Sequence, residues 1–210
     1  MPKRMTILFN WWKKYYQKAL KEYWGDELPE GVIDSVRMEF EKLVPEIPSY
    51  GRGMAMFNLI IQLVAMDLAL YRVLKKHSKT PEESADIGRR ALELRMQKVP
   101  KIFRRIIGSL WFSKLNIKNG RNRAATLQRR QDPHGWVATF VDGDGVEFDY
   151  GVDYTECGAC KFLKAQNAQE LAPLLCTYDF VLSDYLNWGL RRTQTLAEGG
   201  TKCDFRFKKP

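Results

Sequence analysis

Apolar residues recur every three or four positions through the first half of the chain. Leu8, Trp11, Trp12, Tyr15, Tyr16, Leu20 and Trp24 fall at helical spacing with lysines between them, which predicts an aromatic-rich amphipathic helix over residues 6–24, closed by Gly25. A second helix is expected from Pro29 to Val44 and a third from Gly53 to Lys76. A fourth opens at TPEES, where Thr80 caps, Pro81 takes the first turn and Glu83 completes a capping box; Pro100 ends it. A short basic helix, Lys101 to Leu115, leads into KNGRN, read as a turn.

Beyond this point the period changes from helical to alternating. Ala124 to Arg130, Trp136 to Val141 and Val146 to Tyr154 read as strands, and the DPHG and DGDG segments between them have tight-turn composition. The segment FLKAQNAQELAPLLCTYDFVLSDYLNW returns to a helical pattern with a break near Asn167. Two closing strands, Leu190 to Ala197 and Cys203 to Phe207, are joined by EGGTK. This order predicts an α+β fold: an antiparallel sheet packed with helices, preceded by an N-terminal helical region. The expected division is a helical region over 1–120 and an α+β domain over 121–210, forming one compact unit.

Composition narrows the partners. The 210 residues are 45% apolar and 28% charged, within the range of a globular chain with one good core. The net charge of +9 arises mostly in the first 130 residues. No zinc-finger spacing, RNP sequence or basic region leading into heptads accompanies it, so no nucleic acid partner is expected. The basic residues read first as solvated helix faces, and otherwise as attraction for small carboxylates or anionic surfaces. The most apolar stretch, Met54 to Leu74, is interrupted by Asn58, Gln62 and Asp67, and a central aspartate is costly in a bilayer. It reads as a buried helix, so no membrane span is expected. TILFNWW is followed too soon by Lys13 and Lys14 to serve as a signal sequence, which leads to an expected cytoplasmic location.

All four cysteines, Cys157, Cys160, Cys176 and Cys203, lie in the last third of the chain and are expected to be free thiols. Cys157 and Cys160 have C-x-x-C spacing, but Cys176 and Cys203 stand alone, so the second half of a zinc ribbon is missing. No cofactor is expected, and a cysteine-bound zinc is the alternative. A redox C-x-x-C is partly matched, since CGAC lies between a strand and a helix without the parallel strands of that fold. A nucleophile needs a group that makes it a thiolate. Glu156 adjoins Cys157, and Cys176 and Asp179, three apart on one helical face, could serve one pocket. His77 and His134 both read as surface residues, leaving acid-base work to Asp179 or Glu156, and Arg191 or Arg192 could hold a substrate carboxylate with two prongs. Taken alone, Cys176 within LAPLLCTYDFVL reads equally as packing.

The segments VDYTECGACKFLKAQNAQELAPLLCTYDFVLSDYL and LRRTQTLAEGGTKCDFRF resemble the L-2-amino-thiazoline-4-carboxylic acid hydrolase family over about residues 145 to 208. The matching positions are Cys157, Pro173, Cys176, Asp179, Arg192, Thr193, Thr195, Gly199, Cys203, Asp204 and Phe205, with Cys160 outside the pattern. The closing hairpin is also similar to that of the 4-vinyl reductase small-molecule-binding domains, some of which hold a metal there. Arg192 and Thr195 stand at the positions where those domains would place the glutamate and first cysteine.

The family resemblance implies a hydrolase that opens a carboxylate-bearing thiazoline or cyclic amidine by attack on its C=N carbon. Cys176, Asp179, Cys157 and Cys203 are the candidate catalytic residues, with Arg192, Thr193, Thr195 and Glu156 as substrate contacts. The implied partner is a small-molecule substrate with a carboxylate, with a homodimer as a possible assembly. A non-catalytic small-molecule-binding or sensor module is the reading from another class.

Overall fold

The computed structural model describes residues 3–130 and 132–209. In chain order these form α1 (Lys3–Trp24), α2 (Val32–Leu43), α3 (Ala55–Lys75), α4 (Pro81–Lys98), α5 (Lys101–Trp111) and α6 (Lys114–Arg130). Strands β1 (Val137–Asp142) and β2 (Tyr150–Glu156) follow, then α7 (Gly158–Ala165), α8 (Leu171–Cys176), α9 (Tyr178–Leu186) and β3 (Cys203–Phe207). The fold is α+β, with a helical N-terminal region and a three-stranded antiparallel sheet in the order β1-β2-β3. The chain forms two compact units, Met1–Gln97 with Phe162–Leu175, and Lys98–Lys161 with Cys176–Pro210.

The first unit is built around α3. This helix is long and apolar enough to cross a membrane, yet most of it is inside the protein, with Ile61, Ala65, Met66, Leu68, Ala69, Leu70 and Leu74 fully buried. Burying each large aliphatic side chain contributes roughly 1.5–3 kcal/mol, which explains why apolar residues surround this helix on nearly all sides. The α1 face supplies Phe9, Tyr16 and Leu20, and Phe9 stacks on Phe40 of α2 at 5.8 Å. Asp67 is buried in α3, where the Tyr16 hydroxyl donates to it at 3.0 Å. Burial pushes the Asp67 carboxyl up to about 7, and Tyr16 only partly offsets this. The capping box at α4 forms as its sequence predicts: Glu83 N–H donates to Thr80 Oγ1 at 3.2 Å and Thr80 N–H to Glu83 Oε2 at 2.7 Å.

The second unit holds the sheet. Its register sets Tyr150 opposite Phe207, Val152 opposite Phe205 and Tyr154 opposite Cys203. Trp111 stacks on Trp188 at 4.1 Å, and both pack edge-on against Phe207, which also meets Tyr150. Helix α6 lies on β1, with Gln128 donating to Thr139 at 2.8 Å and Arg121 paired with Asp142.

Two expected strands are not strands. Ala124 to Arg130 is the C-terminal half of α6, and KNGRN lies within the same helix. Its Ala, Leu, Gln and Arg residues favour helix, Ala124 and Leu127 are buried at helical spacing, and Gly120 gives the Phe140 ring room to approach. Leu190 to Ala197 makes only an isolated bridge, Arg191 with Arg206. The N–H groups beyond it are diverted from a ladder: Thr193 and Gln194 both donate to Asp204 Oδ1 at 2.9 Å, and Leu196 donates to Cys203 Sγ at 3.2 Å. β1 starts one residue later than expected, at Val137, and β2 starts only at Tyr150, because Asp144 turns the chain ahead of it by accepting from the N–H groups of Val146 and Glu147.

Candidate active site

Cys157 stands where β2 ends and α7 begins, in the position of a helix N-cap. Its sulfur accepts from the Cys160 thiol, from the backbone N–H groups of Cys160 and Ala159, and from the Trp136 side chain. This is the arrangement by which a serine caps a helix, with sulfur in place of oxygen, and the positive end of the helix favours an anion there. Led by the Cys160 donor and opposed by burial, these contacts lower the Cys157 thiol to about 7. Cys160 moves the other way: donating to Cys157, together with burial, raises its pKa. Gly158 makes the approach of Trp136 possible, since a Cβ there would stand 2.8 Å from the indole ring.

Asp179 lies in the first turn of α9, and Arg192 on the chain that follows that helix. Arg192 Nη1 donates to Asp179 Oδ2 at 2.9 Å and Nη2 to the Cys176 carbonyl at 3.1 Å. The guanidinium is almost wholly enclosed, with the Phe180 and Phe205 rings each 5.1 Å from it, so both its charge and its plane are fixed. The Asp179 side chain keeps 40% exposure, yet its surroundings push its carboxyl up to about 6: desolvation outweighs the attraction of Arg192.

The thiols of Cys176 and Cys203 are displaced the other way. Burial raises Cys176, reinforced by Cys157 and Asp179 and opposed by Arg192. Burial also raises Cys203, whose sulfur is engaged by the Leu196 N–H. Thr193 and Thr195 turn their hydroxyls to the protein: Thr193 Oγ1 bonds Asp204 Oδ2 at 2.5 Å, and Thr195 Oγ1 bonds Glu198 Oε2 at 2.7 Å. Burial would raise Asp204, but the Thr193 hydroxyl and the two N–H groups hold its carboxyl below the ordinary value. Glu156 is exposed, pairs with Lys161, and lines an open groove of about 570 Å³ together with Gln128, Asp132, Pro133 and Val137; the cysteines do not line this groove.

Electrostatic proximity therefore draws Cys157, Cys160, Cys176, Asp179, Arg192 and Cys203 into one cluster. Both histidines are exposed. Among the described residues, no three His, Cys, Asp or Glu side chains are placed to hold a metal ion.

A family model described as L-2-amino-thiazoline-4-carboxylic acid hydrolase matches residues 58–207. The chain belongs to this hydrolase family. No curated protein and no solved structure matches it. The family match begins inside α3, well upstream of the segment whose motifs carry the resemblance in the sequence. The cluster around Cys157 also contains residues that the sequence pattern does not single out. Cys160 lies outside the family pattern, yet it is the main donor to Cys157. Trp136 was placed only as a strand residue. Tyr154, on β2 opposite Cys203, is half-buried with its ring edge-on to Phe205 at 5.5 Å; desolvation raises its phenol, and Asp179, Cys157 and Cys203 add to the shift. The strand period offered a signal for Tyr154, three residues before the cysteine in VDYTEC.

Proposed function

We propose that this chain hydrolyses a carboxylate-bearing thiazoline or related cyclic amidine, with Cys157 as the nucleophile and Asp179 as the proton carrier. One observation carries the assignment of Cys157 over the other thiols: it alone is held toward the thiolate, at about 7, while Cys176 and Cys203 are raised. The Cys157 sulfur forms a bond to the C=N carbon, and the ring nitrogen takes the proton from Asp179. The tetrahedral centre collapses with breakage of one ring bond at that carbon, and the departing atom keeps the electron pair. Water then adds to the same carbon, Asp179 accepts its proton, and the bond to Cys157 breaks with return of the thiolate.

Arg192 serves as a positioning residue in this scheme. Its fork keeps Asp179 oriented and tempers the desolvation that would otherwise raise the carboxyl further. Tyr154, kept neutral by burial, is a hydrogen-bond donor to charge that develops on the adduct. Reduced thiols suit a cytoplasmic site of action.

The test is turnover of 2-amino-thiazoline-4-carboxylate by the purified protein and by Cys157→Ala and Cys176→Ala variants, with denatured protein mass measured after mixing with substrate. The expected result is loss of turnover and of the covalent adduct in Cys157→Ala alone. Full turnover in that variant would remove Cys157 from the chemistry. Saturable binding without turnover in the native protein would replace the enzyme reading by a binding module.

A further inference from the structure

Helix α5 is built the wrong way round for a core helix. The edge it turns toward the protein carries Arg104, Gly108 and Trp111, at helical spacing. Gly108 is buried so closely on α9 that a Cβ would stand 2.0 Å from the Leu186 carbonyl oxygen, Arg104 lies 5.1 Å over the Tyr185 ring, and Trp111 stacks on Trp188. The opposite face carries the apolar residues. Ile102, Phe103 and Leu110 are 57–60% exposed, Ile106 and Ile107 44–46%, and Leu115 just beyond is 69% exposed. Their spacing makes a continuous stripe, whereas isolated exposed apolar residues would need no explanation.

The charge around this stripe is equally one-sided. Residues 94–131 contain eleven Lys and Arg and no Asp or Glu, more than the whole net charge of +9, so the rest of the chain carries a slight negative excess. Lys101 and Arg105 of α5 and Lys114 and Lys118 in the first turns of α6 are exposed.

We propose that α5 docks the protein on an anionic phospholipid surface, its stripe entering the headgroup boundary while Lys101, Arg105, Lys114 and Lys118 meet the lipid phosphates. An apolar face bordered by basic residues is the pattern of an interfacial helix, and each basic residue near an anionic bilayer contributes about 1 kcal/mol. Helix α5 cannot span: its 11 residues extend about 16 Å against about 30 Å of hydrocarbon. A second copy of the chain would bring the same basic segment against itself, which charge opposes. A nucleic acid would use the lysines and arginines but leave the isoleucines and Phe103 in water.

Co-sedimentation of the intact protein with phosphatidylcholine vesicles, with and without phosphatidylglycerol, tests this. Binding is expected only with phosphatidylglycerol and should weaken as salt rises. The double variant Phe103→Glu with Ile107→Glu should lose at least tenfold in affinity, about 1.4 kcal/mol, with an unchanged circular dichroism spectrum. Lys101→Glu with Arg105→Glu should lose as much at low salt. Equal binding to both vesicle types, no binding to either, or full binding by the apolar double variant would overturn the proposal. So would tight binding of a single-stranded RNA oligonucleotide without vesicle binding, or a dimer in gel filtration that the double variant abolishes while vesicle binding is absent.

Discussion

Replacing Cys160 by alanine should take Cys157 out of its reactive state without touching Cys157 itself. The Cys160 thiol is the largest of the influences that lower Cys157 to about 7; the N–H groups of Cys160 and Ala159 and the Trp136 side chain add to it, while burial opposes them. A hydrogen bond to a charged group contributes about 1.5–3 kcal/mol. At about 1.4 kcal/mol per pKa unit, losing it raises the Cys157 pKa by roughly one to two units. At neutral pH the thiolate fraction then falls from about one half to roughly a tenth or less. Cys160→Ser is the control, because its hydroxyl still donates and should keep most of the shift. The assay is the pH dependence of iodoacetamide alkylation, resolved by peptide mapping, alongside kcat/KM. The native protein should alkylate first at Cys157 with a midpoint near 7, the alanine variant with a midpoint well above it, and the serine variant close to the native. An unchanged midpoint in Cys160→Ala, or first alkylation at Cys176 or Cys203, would refute the reasoning.

The proposed mechanism requires Asp179, held up to about 6, to be protonated and Cys157, near 7, to be ionised, so kcat/KM should be bell-shaped with limbs near those two values. Asp179→Asn should abolish the alkaline limb and lower kcat by roughly a hundredfold, which a kinetic pH series will show. Arg192→Lys keeps the charge but loses the two-pronged contact with Asp179 and the Cys176 carbonyl, so kcat should fall more than KM rises; an effect confined to KM would assign Arg192 to the substrate carboxylate instead. Asp67 has a folded pKa of about 7, so its contribution to stability is full below about 4, its unfolded value, and is lost as pH rises through 7. Asp67→Asn should therefore be more stable than the native protein at pH 8, by on the order of 4 kcal/mol at most, and no more stable at pH 4; equal urea midpoints at pH 8 would count against a buried charge.

The helices of the first unit were legible because each carries local signals: the aromatic spacing before Gly25, the capping box at Thr80 and Glu83, and the break at Pro100. The closing segment misled because its outcome depends on partners distant in sequence. Leu190 to Ala197 reads as a strand, but the Asp204 carboxylate and the Cys203 sulfur capture the N–H groups that a ladder would need. Ala124 to Arg130 misled because KNGRN has turn composition, whereas it lies inside α6 with Gly120 facing the Phe140 ring. The same limit applied to the site. Residue types and order pointed to Cys157, Cys176, Asp179, Arg192 and Cys203, but the direction in which each thiol's pKa is displaced depends on the backbone around it.

In the proposed mechanism, that dependence would supply a thiolate without a histidine. A histidine base makes a thiolate by accepting its proton, and both histidines here are exposed. Cys157 is stabilised instead by donors, from the start of α7, from Trp136 and from Cys160, so its ionisation needs no adjacent base. The proposed mechanism then needs another source for the proton delivered to the ring nitrogen. Asp179 fits that need because desolvation keeps its carboxyl protonated to about 6 even with Arg192 bonded to it. A fully hydrated aspartate would have lost its proton well below the pH at which Cys157 ionises, and a wholly unpaired one would hold it too firmly to cycle. The opposed effects of burial and Arg192 thus move Asp179 toward the range in which Cys157 ionises, which is the pairing the proposed mechanism requires.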